Sequence, residues 1–279
     1  MCYTKRKLDV TRRASLFYQK ERGRPAKLRS EDMIMKLTFL GSSHGVPAAD
    51  RYCSSLMVEI GESTYLIDAG APIIDCILRH GKTPMDIKTI FTTHSHGDHI
   101  NGLHHYIDLV DWYYKEAEID VFMTNEDVSN AMIHMLEVLR GAPYHADRIR
   151  MHIAAPGEVW NDGILRVTYI PTRHMEPRAS YAILLEAEGK RVLVTGDMSW
   201  KMLKHDFPTI VAEEELDLVI CEMAHFGVPE LTPYFETCKA KKMWITHVWP
   251  PEKFEDIKAL NGKYAYPVYI AHDNDVIEI

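Results

Sequence analysis

The run Thr92-Thr93-His94-Ser95-His96-Gly97-Asp98-His99 constrains this chain more than any other stretch. Four ligand-type side chains fall within six positions, so the backbone must turn sharply to aim them at one place. A rigid element has to hold that turn. Lys88–Thr93 provides one, because it is short, β-branched and apolar and reads as a buried strand. A helical pattern then begins at Ile100-Asn101-Gly102-Leu103. The cluster therefore sits where a strand ends and a helix begins, which is where α/β folds carry their chemistry. Neutral imidazole nitrogens with a carboxylate oxygen suit zinc or another first-row metal better than calcium.

The rest of the chain bounds what this loop can belong to. Its 279 residues can bury one large core, and 46% hydrophobic with 26% charged residues is an ordinary globular composition. No apolar run approaches the roughly 20 residues that span a bilayer, so no membrane partner is expected. Cys2, Cys53, Cys76, Cys221 and Cys238 are scattered without a C-x-x-C spacing. That argues for a reducing, cytoplasmic setting and against a disulfide framework, with Cys76 and Cys221 as small buried apolar residues. Charge is uneven. Residues 1–34 hold ten Lys/Arg against four Asp/Glu, net +6, which leaves −14 on the remainder. A basic, flexible N-terminal extension over 1–34 is expected, followed by one catalytic domain over 35–279, since ordered pattern begins at Met35.

Strands are predicted at Leu37–Leu40, Ser55–Ile60 and Thr64–Ile67, with a helix through Ile73, Ile74, Ile77 and Leu78. Leu103–Tyr114 and Glu126–Leu139 read as helices around a strand at Ile119–Met123. The second half is mostly strands, at Ile164–Ile170, Ala179–Glu186, Arg191–Thr195, Leu216–Cys221, Lys242–Ile245, Val268–Ala271 and Val276–Ile279. Two sheets packed between helical layers accommodate this order. Four ligands on one loop cannot close two metal shells, and three further candidates follow predicted strands: His174, Asp197 and His247.

With these residues the chain resembles the metallo-β-lactamase superfamily over residues 35–279. Asp68 in Leu66-Ile67-Asp68-Ala69-Gly70 fits the first motif, His94-x-His96-x-Asp98-His99 the second, His174 the third, Asp197 the fourth and His247 the fifth. The resemblance implies a four-layer αβ/βα sandwich with two divalent metal ions at one edge, zinc first and manganese or iron as alternatives. By the same resemblance one ion takes His94, His96 and His174, and the other takes Asp98, His99 and His247. Asp197 bridges them, and Asp68 orients the ligand loop. His272, in Tyr269-Ile270-Ala271-His272-Asp273, competes with His247 for the last place, and His247 is preferred.

Paired metals acidify a water held between them and polarise the substrate oxygen, which is hydrolase chemistry. Asp98 is then a ligand and a proton acceptor. Glu222 and His225, just past a strand, are candidates to protonate a leaving group, and His44 in the first loop is a candidate substrate contact.

Leu37-Thr38-Phe39-Leu40-Gly41, the His-Gly-Asp-His form and Tyr269–Asp273 resemble the ribonuclease Z and phosphodiesterase branch. Only residues 175–196 separate His174 from Asp197, however, which leaves no room for that branch's tRNA-gripping arm. The chain also departs from the branch after Gly70 and after His247, and its −14 body suits RNA poorly. The expectation is a phosphodiesterase on a small or cyclic phosphodiester, with tRNA disfavoured as a partner. A carboxyl-ester or lactone hydrolase and a non-catalytic metal-binding protein are the alternatives. Tyr106, Trp112, Tyr113, Tyr114, Met132 and Met135 read either as core or as a pocket wall or homodimer surface.

Overall fold

The parallel strand pairs are joined through helices, as βαβ connections require, while most of the antiparallel pairs follow one another directly. The structure is a computed structural model that describes residues 34–46, 48–70, 72–199 and 206–279. The expected extension 1–34 lies, Ile34 apart, outside the described residues.

The strands are β1 (Met35–Gly41), β2 (Ser55–Ile60), β3 (Ser63–Ile67), β4 (Ile87–Phe91), β5 (Ile119–Met123), β6 (Ile149–Ile153), β7 (Gly157–Asn161), β8 (Arg166–Thr172), β9 (Ser180–Ala187), β10 (Lys190–Val194), β11 (Leu218–Met223), β12 (Met243–Val248), β13 (Val268–Ile270) and β14 (Val276–Glu278). The helices are α1 (Ile73–Arg79), α2 (Gly97–Trp112), α3 (Glu126–Arg140), α4 (Ile210–Glu213), α5 (Val228–Thr237) and α6 (Lys253–Lys258).

Two seven-stranded sheets form, in the orders β14-β1-β2-β3-β4-β5-β6 and β13-β12-β11-β10-β9-β8-β7. Each is antiparallel along one half and parallel along the other, over β3 to β6 and β10 to β13. Helices α1 to α3 cover the first sheet, burying Ile73, Ile77, Leu103, Ile107 and Leu136 with Leu66, Ile90 and Val121. Helices α4 to α6 cover the second, burying Val211, Leu231, Phe235 and Ile257 with Leu193, Val219 and Ile245. The uncovered faces meet each other. Phe39 of β1 stacks on Trp244 of β12 at 5.7 Å, and the Tyr169 hydroxyl donates to the Thr92 carbonyl at 3.1 Å. This is the expected four-layer αβ/βα sandwich. Cys76 and Cys221 are buried apolar residues, as their context suggested.

Several elements differ from the sequence reading, each for an identifiable reason. Helix α2 starts at Gly97 rather than Leu103. Its first turn is made of polar ligand residues that hide the apolar period, while Asp98 there complements the helix N-terminus. Strands β6 and β7 were not predicted, because β6 is only half-buried and carries Arg150 and His152, and β7 is mostly exposed. The aromatic stretch splits. Tyr106 is core, with its hydroxyl on the Pro84 carbonyl, whereas Trp112, Tyr113 and Met135 are exposed. Among the described residues, no helix is long and apolar enough to cross a membrane.

Candidate metal centre

In a parallel sheet, the carboxyl ends of the strands all open on one side, so residues that follow them converge. Asp68 follows β3, the His94–His99 loop follows β4, Asp197 follows β10, Glu222 and His225 lie at and beyond the end of β11, and His247 is the penultimate residue of β12. His174 comes in from the end of β8. The chain cross-ties this edge with backbone hydrogen bonds. Ala69 N–H donates to His99 O at 2.7 Å, Gly102 N–H to Ala69 O at 2.8 Å, and His247 N–H to Ser42 O at 3.0 Å. Gly102 allows the first contact of α2 with the Asp68 loop, because a Cβ there would stand 2.6 Å from the Gly70 carbonyl oxygen.

Asp197 lies at the centre. Its Oδ2 is 3.2 Å from His247 Nε2, 3.6 Å from His174 Nε2, 3.8 Å from His94 Nε2 and 3.9 Å from His225 Nε2, and its Oδ1 is 3.4 Å from His99 Nε2. On one side, His96 Nδ1 stands 3.1 Å from His94 Nε2 and 2.9 Å from His174 Nε2. On the other, Asp98 Oδ2 stands 3.4 Å from His99 Nε2 and 3.6 Å from His247 Nε2. Two sets of side chains thus close around small volumes, His94/His96/His174 and Asp98/His99/His247, with Asp197 next to both. His225 joins a further set with His174 and Asp197.

The opposite ring nitrogens explain why the Nε2 lone pairs point inward. Thr93 donates its hydroxyl to Asp68 at 2.8 Å, so its oxygen is free to accept from His94 Nδ1 at 3.1 Å. His99 Nδ1 donates to Asp68 Oδ2 at 2.7 Å, and His174 Nδ1 to the Met198 carbonyl at 3.1 Å. His247 Nδ1 meets Ser54 Oγ at 2.8 Å. A proton fixed on Nδ1 leaves Nε2 as a bare acceptor, the arrangement that second-sphere partners impose on metal-binding histidines. His99 Nε2 and His247 Nε2 are buried and have no hydrogen-bond partner, a costly condition that a bound cation removes. Asp68, His99, Asp197 and His247 also line a cavity of about 40 Å³ between the sheets, room for a water-sized species. The donor set therefore fits divalent metal.

The electrostatics agree. Burial holds His94 well below the ordinary imidazole value, so the ring is neutral, the form that binds metal. Burial lowers His96 and His174 in the same way. Burial would also depress His99, but the Asp197 and Asp68 carboxylates outweigh it and push His99 well above the ordinary value. Positive charge is in demand where those carboxylates meet. Burial alone would raise Asp98, yet the adjacent His99 imidazole, with the charge of His247, holds it down at about 2.

Two backbones here are strained. Asp68 at φ 59° and His247 at φ 54° occupy the left-handed region that non-glycine residues avoid. Each strand-end turn must reverse to deliver its side chain.

The remaining candidates sit around this core. His225 Nδ1 meets Glu222 Oε1 at 2.8 Å. Glu222 is buried behind it, also accepting the Met198 and Ala224 amides, so it faces His225 rather than the ligand atoms. Burial works against a charged His225, and the hydrogen bond it donates to Glu222, with that carboxylate's charge, outweighs burial and raises the imidazole above its ordinary value. His44 lies at the rim, its ring 5.0 Å from that of His247 and stacked on Trp249 at 5.7 Å. His272 is exposed and away from the ligand groups, while its neighbour Asp273 holds Ser42 and Tyr52 in the first loop. Sequence reasoning missed Thr93, Ser54 and the Met198 carbonyl. Thr93 adjoins the motif and was within reach, but nothing around Ser54 or Met198 signals a role.

A four-layer sandwich with this donor set at its edge is the metallo-β-lactamase fold, as its structural neighbours also show. The family model described as anti-Pycsar protein Apyc1 matches residues 35–264, and the chain belongs to that family. Over 160 residues, 56% of this chain, it is 33% identical to ribonuclease Z of Thermosynechococcus vestitus, a match spanning 38% of that relative. A second match, to ribonuclease Z of Methanocaldococcus jannaschii at 28% identity, covers 53% of this chain and 47% of the relative. The chain thus aligns with less than half the length of either. The metallo-beta-lactamase fold protein YhfI from Bacillus subtilis superposes with a TM-score of 0.71 at 18% identity, covering 88% of this chain and all of that one.

Proposed function

We propose that this protein is a phosphodiesterase acting on a small or cyclic phosphodiester, with His94, His96 and His174 holding one divalent ion, Asp98, His99 and His247 a second, and Asp197 shared between them. The observation that carries the reading is the convergence of both ligand sets on Asp197, with the half-buried imidazole of His225 3.9 Å from the same carboxylate. Divalent ions bound there supply Lewis-acid charge beside a substrate phosphorus and acidify water. Zinc suits the nitrogen-rich set, with manganese or iron as alternatives.

The chain's own residues do the rest. Asp98 would take up the proton released by the attacking water. His225, oriented by Glu222, presents Nε2–H to a leaving alkoxide, which is the difficult step for an unactivated diester. His44 contacts substrate from the rim. A small substrate is favoured because residues 175–196 are occupied by the hairpin β9–β10 of the second sheet, so no arm for gripping a folded RNA emerges there. The exposed Trp112, Tyr113 and Met135 surface suits a second copy of the chain.

Turnover of bis-p-nitrophenyl phosphate and of cyclic phosphodiesters, set against p-nitrophenyl acetate, a lactone panel and a tRNA precursor, tests this. Hydrolysis of the diesters is expected. Turnover of esters or lactones alone would sink the reading, as would full metal occupancy with no turnover at all.

A further inference from the structure

The turn that carries His225 has no regular structure of its own, running from Ala224 to Gly227 between β11 and α5. Its backbone groups nevertheless all need partners, because the segment is at least half-buried. The N–H side is met by acids. Ala224 N–H and His225 N–H donate to Glu222 Oε2 at 2.7 and 3.4 Å, and Gly227 N–H to Glu230 Oε2 at 3.0 Å. The carbonyl side is met by a single cation. Lys253 Nζ donates to Met223 O at 3.2 Å, Ala224 O at 2.7 Å and Phe226 O at 2.6 Å. An ammonium has three N–H donors, and all three are spent on this turn and the strand end that leads into it.

Lys253 makes no ion pair with a carboxylate among the described residues. Burial lowers its ammonium below the ordinary lysine value, so the charge is kept at a cost. Lys253 also begins α6, just after the segment that bears His247. Trp249 N–H reaches the same Met223 carbonyl at 3.4 Å. The two strand-end loops that deliver His247 and His225 are therefore tied at one oxygen.

We propose that Lys253 is a positioning residue that acts through these three carbonyls to fix the turn presenting His225 to the reacting atoms. The proposal rests on the reading of His225 as the proton donor to the leaving group. It implies that loss of Lys253 impairs protonation of the leaving group while the ligands and the bound metal stay in place.

The test compares wild type with Lys253→Met across phosphodiesters whose leaving groups run from p-nitrophenolate to a simple alkoxide. A misplaced proton donor matters only when the leaving group needs a proton. Turnover of the alkoxide ester should fall roughly 10–100-fold, and that of the p-nitrophenyl ester by less than about twofold. Metal content by elemental analysis should be unchanged. An equal loss across the series, or none, overturns the proposal.

A second readout is independent of hydrolysis. The His225 Nδ1 proton, held on Glu222, should give a slowly exchanging resonance in the wild type that is lost in Lys253→Met. If the wild type hydrolyses no phosphodiester, the proposed function fails, and this resonance still decides the role of Lys253, a signal unmoved by the substitution overturning it. Should the Met variant not fold, Lys253→Gln, which keeps part of the donor set, takes its place. If neither folds with metal bound, Lys253 serves stability alone and the proposal is wrong.

Discussion

The two sheets contribute to the centre in different ways. The first sheet delivers His94, His96, Asp98 and His99 from one loop and the opening turn of α2, and one carboxylate supports a member of each ligand set, since Asp68 binds Thr93 and His99 and, through Thr93, steadies His94. The second delivers single residues from separate strand ends. There each imidazole has its own neutral or charged support: the Met198 carbonyl for His174, Ser54 for His247 and Glu222 for His225. One arrangement is a shared hub and the other a set of independent arms. A hub propagates damage to every ligand it holds, whereas an arm confines it.

The sharpest break comes from removing an arm outright. His247→Asn keeps a residue at ease in the left-handed backbone while removing the imidazole. Elemental analysis should show one metal equivalent lost and the His94/His96/His174 side still loaded, with turnover down about 10²–10³-fold. Full metal content in this variant would contradict the ligand assignment.

Next comes the hub. Asp68→Asn also tolerates the positive φ and removes the charge that His99 and Thr93 share. Metal affinity should weaken about 10–100-fold at both positions, the usual scale for an outer partner of metal-binding histidines. Weakening confined to one position would show that the first sheet has no common hub.

A smaller effect is expected from Ser54→Ala, which takes away only the His247 Nδ1 partner. About a tenfold loss of affinity, restricted to the metal position of His247, would confirm an independent arm. A loss at both positions, read by competitive chelation, would erase the contrast between the sheets.

The smallest effect lies away from the centre and compares the sheets' own ion pairs. In the first, Arg150 grips Asp120 with Nε at 2.9 Å and Nη2 at 2.8 Å. In the second, Lys241 Nζ meets Asp217 at 2.8 Å, and the Arg191 amide adds a bond. Burial would raise both carboxyls, but these partners outweigh it and hold both below the ordinary 3.8. A carboxyl lowered in the folded state contributes stability that is present above its unfolded value and disappears as pH falls through the lowered one. Asp120→Asn should cost up to about 1 kcal/mol near neutral pH, and the difference from wild type should close below pH 3.8. Asp217→Asn should show the same sign with a smaller size, because a point charge grips less well than a guanidinium fork. Thermal melts at several pH values would show whether the order is reversed.

Much of this centre was legible because metal chemistry compresses ligands into short spacings. His94 to His99 stand in one run, and Asp68, His174, Asp197 and His247 each follow a recognisable apolar strand. The sheets were legible for the same reason, since buried parallel strands are apolar throughout. Strands β6 and β7 were not, because half-exposed edge strands with Arg150, His152 and Glu158 carry no clear period. The start of α2 was hidden by the ligands themselves.

The sequence by itself set out the candidate ligands and their order and most of the buried strands, and its family resemblance implied the layered αβ/βα class, because residue chemistry and hydrophobic period are local properties. Only the tertiary structure decided which nitrogen of each histidine points inward, that His247 rather than His272 reaches Asp197, that Glu222 stands behind His225, and that Ser54 and Lys253 belong to the site at all. Those outcomes depend on which strand ends meet across two sheets. A hydrogen bond between residues 193 positions apart, such as Ser54 to His247, leaves no trace in the spacing along the chain.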